Sequence, residues 1–496
     1  MKYQLLILAV ISSSLSQSHS ASIFTDYFGI IDADPNNPSA NFSSLDTSSL
    51  DEKKLELDFK LNDGNNSWEL KKGKDTIASG TGQQLTNNST GKSYITFVFR
   101  DLYIGKDVDV SIDGDNNGLA ILSTGGFTLG AEVKYEGNKD SAAGDILFYS
   151  DGDMEISSKK ISADGKKDAS GGDVTIHSSG NLDLSAEVKS GGGDNQASGD
   201  ILLKSGGDLV VSKKLESKGD AGSAGGNITL ESAGNLELSG EVKSSGGKDA
   251  DGGDISLQSG GDLSITSKKL EADGGDSGDG GNININSEGS LEVITELLSE
   301  GGKEGDGGDI NIYADEEVFV QAKVDIAGGD SHKNNKGDHT GDGGDGGTIT
   351  IEASEITLND TSVTASGGDS DDKADGYGGD GGGFNLITDG PLNLEGYFDE
   401  DGNSTDTYFD LSGGKSTDPD AGSDDIYGED GIAKLASQQV QFDGETPQNI
   451  EDAVDLFNQN NGYNDGGNSV IIAVPEPSTS ILLMSGALIG SLRRKR

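Results

Sequence analysis

The sequence predicts an all-β protein: a right-handed parallel β-helix, or solenoid, of about 27-residue coils with N- and C-terminal caps. Three observations carry this prediction. A segment of nearly constant length repeats through the middle of the chain, and every repeat contains three short alternating apolar runs. The charge beside the third run also changes sign from each repeat to the next.

A Gly-Asp/Asn-Ile/Val tripeptide marks the repeat, and its glycine returns at intervals of 27 or 28 residues. The glycines in question are Gly144, Gly172, Gly199, Gly226, Gly253, Gly281 and Gly308. Such a period is typical of solenoids, in which each repeat forms one coil.

Each repeat has the pattern of three β-strands separated by glycine-rich corners. In one repeat the strands are residues 227–231, 235–238 and 241–243, where apolar side chains occupy every second position. The corners contain Ser-Ala-Gly, Ser-Gly-Gly or Asp-Gly-Gly clusters, which we expect to supply turns with positive φ. A single coil cannot bury its apolar face, so the coils must stack strand over strand around one narrow interior.

The residue before the inward side chain of the third strand alternates in sign along the chain: Glu132, Lys160, Glu187, Lys214, Glu241, Lys269 and Glu296. The residue after that side chain alternates in the opposite phase: Lys189, Glu216, Lys243 and Glu271. If neighbouring coils lie about 4.8 Å apart, each lysine of the first row has a glutamate above and below it. Exposed cross-strand pairs contribute only about 0.2–1 kcal/mol each. We therefore interpret the pattern as control of register, because a coil slipped by one repeat would place like charges together.

The composition excludes one class of partner and favours two others. The chain has 496 residues, a net charge of −51, 78 glycines and no cysteine. Recognition of nucleic-acid phosphates needs clusters of Lys and Arg, so we expect no nucleic-acid partner. The acidity favours cations or a hydrated polar matrix. Without disulfides, stability must come from strand hydrogen bonds and stacking, with or without a contribution from bound metal.

We expect five segments along the chain. They are a signal peptide at 1–20, a β-rich N-terminal cap at 21–100, the β-helix at 101–394, an acidic Gly/Asp-rich segment with a C-terminal cap at 395–473, and a sorting signal at 474–496. Trp68 is expected in the core of the first cap rather than in a sugar-stacking platform. A helix beginning at Thr446 and Pro447 is expected in the second cap. Long loops at 330–346 and 367–382 interrupt the repeat and are the preferred functional region.

Aspartate and asparagine recur at two corners of the coil. The first row holds Asp145, Asp173, Asp200, Asn227, Asp254, Asn282 and Asp309, and the second holds Asp153, Asn181, Asp208, Asn235 and Asp262. Stacked carboxylates repel each other. Either these side chains point apart and cap turns through hydrogen bonds to the backbone, or cations bridge them, and capping is favoured.

Other aspartates in the glycine-rich loops are better candidates for a weak, structural Ca²⁺ site, because Ca²⁺ takes several hard oxygen ligands from flexible loops. These candidates are Asp273, Asp276, Asp279, Asp342, Asp345, Asp369, Asp371 and Asp372. His177 is predicted to lie on an outward, solvated row, and His332 and His339 share one loop without forming a metal set.

The C-terminus carries the most specific motif of the chain. Pro475, Glu476 and Pro477 precede an apolar run at 480–492, which is too short for an ordinary membrane span of about 20 residues. Four basic residues then end the chain: Arg493, Arg494, Lys495 and Arg496. This arrangement resembles a PEP-CTERM sorting signal.

The resemblance implies a Gram-negative-type bacterium, secretion machinery, transient anchoring in the inner membrane through the C-terminus, and processing by an exosortase. It also implies delivery to the cell surface or extracellular matrix. Over about half of the chain, the repeats resemble those of filamentous-haemagglutinin-like β-helical adhesins.

These features favour a non-catalytic, adhesin-like or exopolysaccharide-associated protein whose partner is extracellular polysaccharide or a cell surface. The alternative is a secreted polysaccharide lyase or hydrolase, since β-helices also carry such enzymes. An enzyme would need a local departure from the repeat that supplies a carboxylate pair, or Ca²⁺ with a basic residue. The regular coils show no such departure, so we predict that the protein is not an enzyme.

Overall fold

The computed structural model describes residues 44–48, 55–61, 66–87, 90–114, 118–137, 141–331, 342–370, 377–395, 409–413, 432–436, 439–442 and 469–473. Within these ranges all regular secondary structure is β-strand, as predicted. The chain divides into two compact units, Met1–Gly289 (unit 1) and Ser290–Arg496 (unit 2). The predicted signal peptide, the helix after Thr446 and the sorting signal lie outside the described residues.

Within the described residues, unit 1 contains 27 strands. They are β1 (Leu45–Asp46), β2 (Leu55–Lys60), β3 (Ser67–Lys72), β4 (Asp75–Thr81), β5 (Gln83–Thr86), β6 (Ser93–Phe99), β7 (Leu102–Ile104), β8 (Val108–Asp113), β9 (Gly118–Ser123), β10 (Phe127–Leu129), β11 (Val133–Lys134), β12 (Ile146–Ser150), β13 (Met154–Ile156), β14 (Lys160–Ser162), β15 (Val174–Ser178), β16 (Leu182–Leu184), β17 (Glu187–Lys189), β18 (Ile201–Ser205), β19 (Leu209–Val211), β20 (Leu215–Glu216), β21 (Ile228–Ser232), β22 (Leu236–Leu238), β23 (Val242–Lys243), β24 (Ile255–Ser259), β25 (Leu263–Ile265), β26 (Lys269–Glu271) and β27 (Ile283–Ser287).

These strands form three parallel stacks in unit 1. First strands follow the order β6-β9-β12-β15-β18-β21-β24-β27, second strands β7-β10-β13-β16-β19-β22-β25, and third strands β11-β14-β17-β20-β23-β26. The register is the one that the repeat predicts: Ile201 lies opposite Ile228, and Ile228 lies opposite Ile255. The parallel coils of about 27 residues are therefore confirmed.

The alternating pattern builds the core directly. Ile228, Leu230, Leu236, Leu238 and Val242 point inward and are at most 1% exposed. A fully buried aliphatic side chain contributes about 1.5–3 kcal/mol, so the thin core still yields a large summed stabilisation over many coils.

In unit 1 a buried serine closes the corner after each first strand from β9 to β27. In the coil that starts with Ile228, the hydroxyl of Ser232 donates to Gly207 O (2.8 Å) of the preceding coil, and also lies 2.9 Å from Asn235 O. The equivalent serines that bond to the preceding coil are Ser123, Ser150, Ser178, Ser205, Ser259 and Ser287. The corner therefore places a polar group inside the solenoid without leaving it unpaired.

The N-terminal part of unit 1 adds a four-stranded sheet in the order β4-β3-β2-β8. Trp68 on β3 is buried and packs against Phe99 with ring centroids 5.3 Å apart, which agrees with its predicted place in a core. Strand β5 pairs antiparallel with β6, and β6 pairs in parallel with β9. The first-strand stack thus begins within the segment predicted as a cap.

Unit 2 continues the same kind of coil with longer strands and longer connections. Its strands are β28 (Leu291–Leu298), β29 (Ile310–Ala314), β30 (Glu317–Asp325), β31 (Thr348–Ala353), β32 (Glu355–Asn359), β33 (Ser362–Thr364), β34 (Gly383–Thr388), β35 (Pro391–Glu395), β36 (Phe409–Asp410), β37 (Ile432–Ala436), β38 (Gln439–Phe442) and β39 (Ser469–Ala473). In β28 and β30 the second and third strands of a coil are fused into one. First strands stack in the order β29-β31-β34-β37-β39.

Between its third strand and the next first strand, each coil makes an excursion that we call a glycine arm. One arm of unit 1 spans residues 244–253, with Ser-Ser-Gly-Gly outward and Asp-Gly-Gly on the return. The amide of Gly253 donates across the arm to Ser244 O (2.9 Å), and Gly246 donates to Asp273 O (3.0 Å) of the next arm. The arms are therefore bonded both within one coil and between coils.

The glycines of these arms serve close approach of the backbone rather than positive φ. A Cβ added at Gly275 would overlap the carbonyl oxygen of Gly247 in the preceding arm. The prediction that the glycine clusters supply positive-φ turns was wrong, because among the described glycines only Gly73, Gly91 and Gly222 have positive φ. At other arm tips the left-handed residue is not a glycine: Lys167, Asn195, Asp249 and Glu304.

Candidate functional site

The first row of aspartates and asparagines forms a hydrogen-bonded ladder. In unit 1 each side chain accepts the backbone N–H of the equivalent residue in the following coil. Asp173 N lies 2.8 Å from Asp145 Oδ1, and Asp200 N lies 3.0 Å from Asp173 Oδ1. The ladder continues through Asn227, Asp254 and Asn282 in the same direction.

The second row behaves in the same way, with Asn181 N bonded to Asp153 Oδ1 (2.8 Å) and Asp208 N bonded to Asn181 Oδ1 (2.9 Å). At both rows the side-chain oxygens therefore accept hydrogen bonds from backbone amides, as the capping alternative predicts. The partner is the next coil, whereas the capping prediction placed it in a local turn. Each oxygen therefore stabilises the stacking of two coils.

A lysine joins the first-row ladder where three carboxylates, Asp145, Asp173 and Asp200, follow one another. Lys92 Nζ lies 3.1 Å from Asp145 Oδ2 and 2.5 Å from Asp173 Oδ2. Burial alone would lower the pKa of Lys92, but its bond to Asp173 and the charge of Asp145 raise that pKa above the ordinary value. The ammonium group therefore offsets the repulsion between neighbouring aspartates.

Several aspartates predicted as calcium ligands take part in similar ladders in the glycine arms of unit 2. Asp342 Oδ1 accepts the amide of Tyr377 (2.8 Å), and Asp345 Oδ1 accepts that of Asp380 (2.7 Å). Asp369 donates its own amide to Asp330 Oδ1 (2.8 Å). One carboxylate oxygen of Asp342 and of Asp345 is thereby engaged by the backbone.

Asp273, Asp276 and Asp279 belong to one glycine arm of unit 1, where Asp279 donates its amide to Asp251 Oδ1 (3.0 Å). Asp371 and Asp372 lie outside the described residues. Within the described ranges, no three acidic or histidine side chains converge as a metal site. Calcium binding at these loops stays a prediction.

The two long loops begin and end at glycine arms of unit 2, and these arms stack on each other. Gly344 donates to Gly329 O (2.9 Å), Gly368 donates to Gly344 O (2.8 Å), and Gly379 donates to Gly368 O (2.9 Å). These bonds hold together the chain segments on either side of both loops. His332 and His339 fall in the first loop and lie outside the described residues.

The alternating charges of the third strands form a continuous network in unit 1. Lys189 Nζ lies 3.1 Å from Glu187 on its own strand and 2.7 Å from Glu216 on the next. Lys214 in turn contacts Glu216 (2.6 Å) and Glu241 (3.5 Å). The predicted cross-coil pairing is present, and the network also uses pairs along each strand.

The network departs from the predicted pattern at Lys160. This lysine lies opposite Glu187 in register, but its ion pairs are with Asp164 (3.1 Å) and Glu136 (3.6 Å). At this coil the predicted register is therefore present without the expected contact between Lys160 and Glu187.

The prediction for His177 was wrong, because this side chain is buried although it belongs to the outward row. Its ring makes an edge contact with Tyr149, with centroids 5.2 Å apart. Burial lowers the pKa of His177 to about 4, and the charge of Lys204 adds to the effect. The imidazole is therefore neutral at physiological pH.

The outward face of the first strands in unit 2 carries a group that sequence reasoning missed. Tyr313 is 36% exposed, and Glu352 lies opposite it in register on the next strand. Beside this pair runs a parallel row of Asn311, Thr350 and Asn385. The sequence does contain a signal for this group. An aromatic residue occupies an outward strand position, and the equivalent position of the next repeat is not a lysine.

No helix within the described residues is long and apolar enough to cross a membrane. The comparisons with curated proteins and with solved structures give no match to this chain. A family described as the PEP-CTERM protein-sorting motif matches residues 473–496. The motif implies export, a C-terminal membrane-anchoring signal and exosortase-dependent processing. The chain is therefore an exported, surface-sorted β-solenoid protein that carries a PEP-CTERM sorting motif.

Proposed function

We propose that this protein is a non-catalytic component of the cell surface or extracellular matrix that associates with exopolysaccharide in an adhesin-like manner. The observation that carries the proposal is the sorting motif at residues 473–496, which implies that the solenoid is exported. Export supports a role among the polymers outside the cell. A solenoid suits this role because its coils present a repeated outer surface.

The chemistry of the described acidic groups supports a binding role. The carboxylates of the two corner rows bond to backbone amides, and those of the third strands pair with lysines. Such groups serve coil stacking, and their engagement leaves them poorly suited to transfer protons to a substrate. The net charge of −51 keeps the surface hydrated and favours uncharged or cation-bridged partners.

The test uses the secreted chain, residues 21–473, with a panel of bacterial and algal polysaccharides in the presence and absence of Ca²⁺. Retention of the polymer and release of new chain ends are measured in the same samples. We expect retention without new ends. Release of new chain ends would overturn the proposal and favour a polysaccharide lyase or hydrolase.

A further inference from the structure

The outward face of three neighbouring first strands in unit 2 combines an aromatic ring, a carboxylate and a row of amide and hydroxyl groups. The strands are β29, β31 and β34, which pair in parallel. Tyr313, Glu352 and Ile387 form one line across them, and Asn311, Thr350 and Asn385 form the adjacent line. Neighbouring strands lie about 4.8 Å apart, so each line is a short ladder of side chains.

The ring of Tyr313 is exposed and its hydroxyl is held in place. The O–H donates to Asp315 Oδ1 at 2.6 Å. This hydrogen bond, together with partial burial, raises the pKa of Tyr313 to about 12, so the phenol stays neutral. A ring fixed in this way offers a flat apolar surface at a small cost in side-chain entropy.

Glu352 lies between Tyr313 and Ile387 in register and is half-buried. Its carboxylate has no hydrogen bond or ion pair to any of the residues that the structure describes. Burial raises the pKa of Glu352, and the nearby charge of Asp389 adds to the rise. An unpaired, partly desolvated carboxylate is costly unless a ligand uses it, and such groups concentrate at functional sites.

Glu231 in unit 1 differs from Glu352 because a lysine pairs with its carboxylate. It occupies the equivalent outward position of a coil in unit 1, where Lys204 on the adjacent strand binds it at 2.8 Å. The carboxylate of Glu231 is therefore neutralised by a lysine of the same row. At Glu352 the nearby charge is that of Asp389, which has the same sign. The adjacent line consists of uncharged polar side chains, in which Asn385 Nδ2 lies 3.3 Å from Thr350 Oγ1.

We propose that this face binds a neutral polysaccharide chain; the inference rests on the proposed association with extracellular polymer and assigns its site. A sugar ring has an apolar C–H face that packs on Tyr313, and hydroxyls at its rim that donate to Glu352. The amide and hydroxyl row of Asn311, Thr350 and Asn385 supplies further hydrogen bonds to the hydroxyls of the same polymer. Anionic glycans are disfavoured because Glu352 is accompanied by Asp315 and Asp389.

The experiment measures migration of the secreted chain through native gels that contain hydroxyethyl cellulose, galactomannan or, as the anionic polymer, alginate. The variants are Tyr313→Ala and Glu352→Gln. Matched controls are Tyr103→Ala, which removes another exposed tyrosine, and Glu231→Gln, which changes the lysine-paired glutamate. Tyr313→Phe retains the ring, and thermal unfolding of every variant checks that it folds.

We expect the wild type to bind a neutral polymer, with at least tenfold weaker binding by Tyr313→Ala and Glu352→Gln and binding within twofold of wild type by both controls and by Tyr313→Phe. Binding of a neutral polymer that these two variants leave unchanged would overturn the site and leave the proposed function standing. Binding of alginate alone would overturn the neutral class of ligand. If the wild type binds no polymer in the wider panel, the site and the proposed function both fall.

Discussion

Glu271 lies directly across from Lys243 on the neighbouring coil, and its carboxylate is shared between Lys243 and Lys269. Ser245 donates a further hydrogen bond at 2.9 Å. Burial opposes ionisation of Glu271, but the bonds from both lysines and Ser245 outweigh it and lower its pKa to about 2. The buried carboxylate is therefore the centre of the charge network in this part of unit 1.

Glu271→Gln should lower the free energy of unfolding at pH 7 by about 2 kcal/mol, because it leaves two partly buried ammonium groups without their counter-charge. The folded-state pKa lies below the unfolded value, so this stabilisation is fully present above about pH 5. It is lost as the pH falls toward 2. Chemical denaturation of wild type and variant between pH 7 and pH 3 measures the difference. A difference that is independent of pH would contradict this account.

Gly275→Ala should destabilise the protein by about 1–3 kcal/mol, since the new methyl group would overlap the Gly247 carbonyl oxygen in the preceding arm. Gly126→Ala is the matched control, because a Cβ at Gly126 would have no atom within 4 Å. Thermal unfolding of the two variants should separate them clearly. Equal effects would show that close approach of the arms does not determine the need for glycine.

Asn181→Asp should destabilise the second ladder by about 1 kcal/mol at low salt, because it creates three successive carboxylates with Asp153 and Asp208. Hydrogen bonding is preserved, since the new side chain still offers an oxygen to the amide of Asp208. Asp208→Asn removes a charge from the same ladder and should not destabilise it. The cost of Asn181→Asp should shrink in high salt, which denaturation at two salt concentrations would reveal.

Glu352→Gln should stabilise the folded protein at pH 7, because it removes a half-buried charge that has no partner among the described residues. The folded-state pKa of Glu352 is raised, so the unfavourable contribution is present at neutral pH and disappears once the carboxyl group is protonated in both states. The thermal midpoints of wild type and variant should therefore differ at pH 7 and converge near pH 3. A lower midpoint for the variant at pH 7 would show that Glu352 has a structural role.

Calcium should raise the thermal midpoint if the aspartates of the glycine arms bind it weakly. At a concentration ten times the Kd, a single site would add about 1.4 kcal/mol of stability. The measurement compares unfolding in EDTA, in CaCl₂ and in MgCl₂, with Asp345→Asn as the variant expected to respond less. An equal response to Mg²⁺ would show that the carboxylates bind divalent cations without selecting Ca²⁺. No response to Ca²⁺ would mean that they act only through the backbone bonds described above.

Much of the fold could be predicted because periodicity reports directly on stacking. The spacing from Ile201 to Ile228 sets the register, and the alternation around Leu230 sets which side chains point inward. The role of the arm glycines was predicted wrongly for a physical reason. A glycine looks the same in a sequence whether it permits positive φ or the close approach of two backbone segments. Only the position of Gly275 against the preceding arm distinguishes the two.

The outward positions were less predictable because their environment depends on neighbours from other coils. His177 is covered by contacts that include Tyr149, which is 28 residues earlier in the chain. Tyr313 and Glu352 are 39 residues apart, across a repeat that a long loop interrupts, so a constant period does not pair them. The contacts of the corner aspartates were partly predictable. Repulsion between stacked carboxylates indicates that each aspartate needs a partner, but it does not identify that partner.

The alternation of partners from coil to coil has an evolutionary consequence. Along the third strands lysine and glutamate exchange places at every coil, and along the second corner ladder aspartate and asparagine do the same. A duplication of one coil would set like charges next to each other along the third strands, and would place two aspartates or two asparagines next to each other in the second ladder. A duplication of two coils would preserve the alternation of both rows, so a pair of coils is the unit by which such a chain can lengthen while these rows keep their pairing.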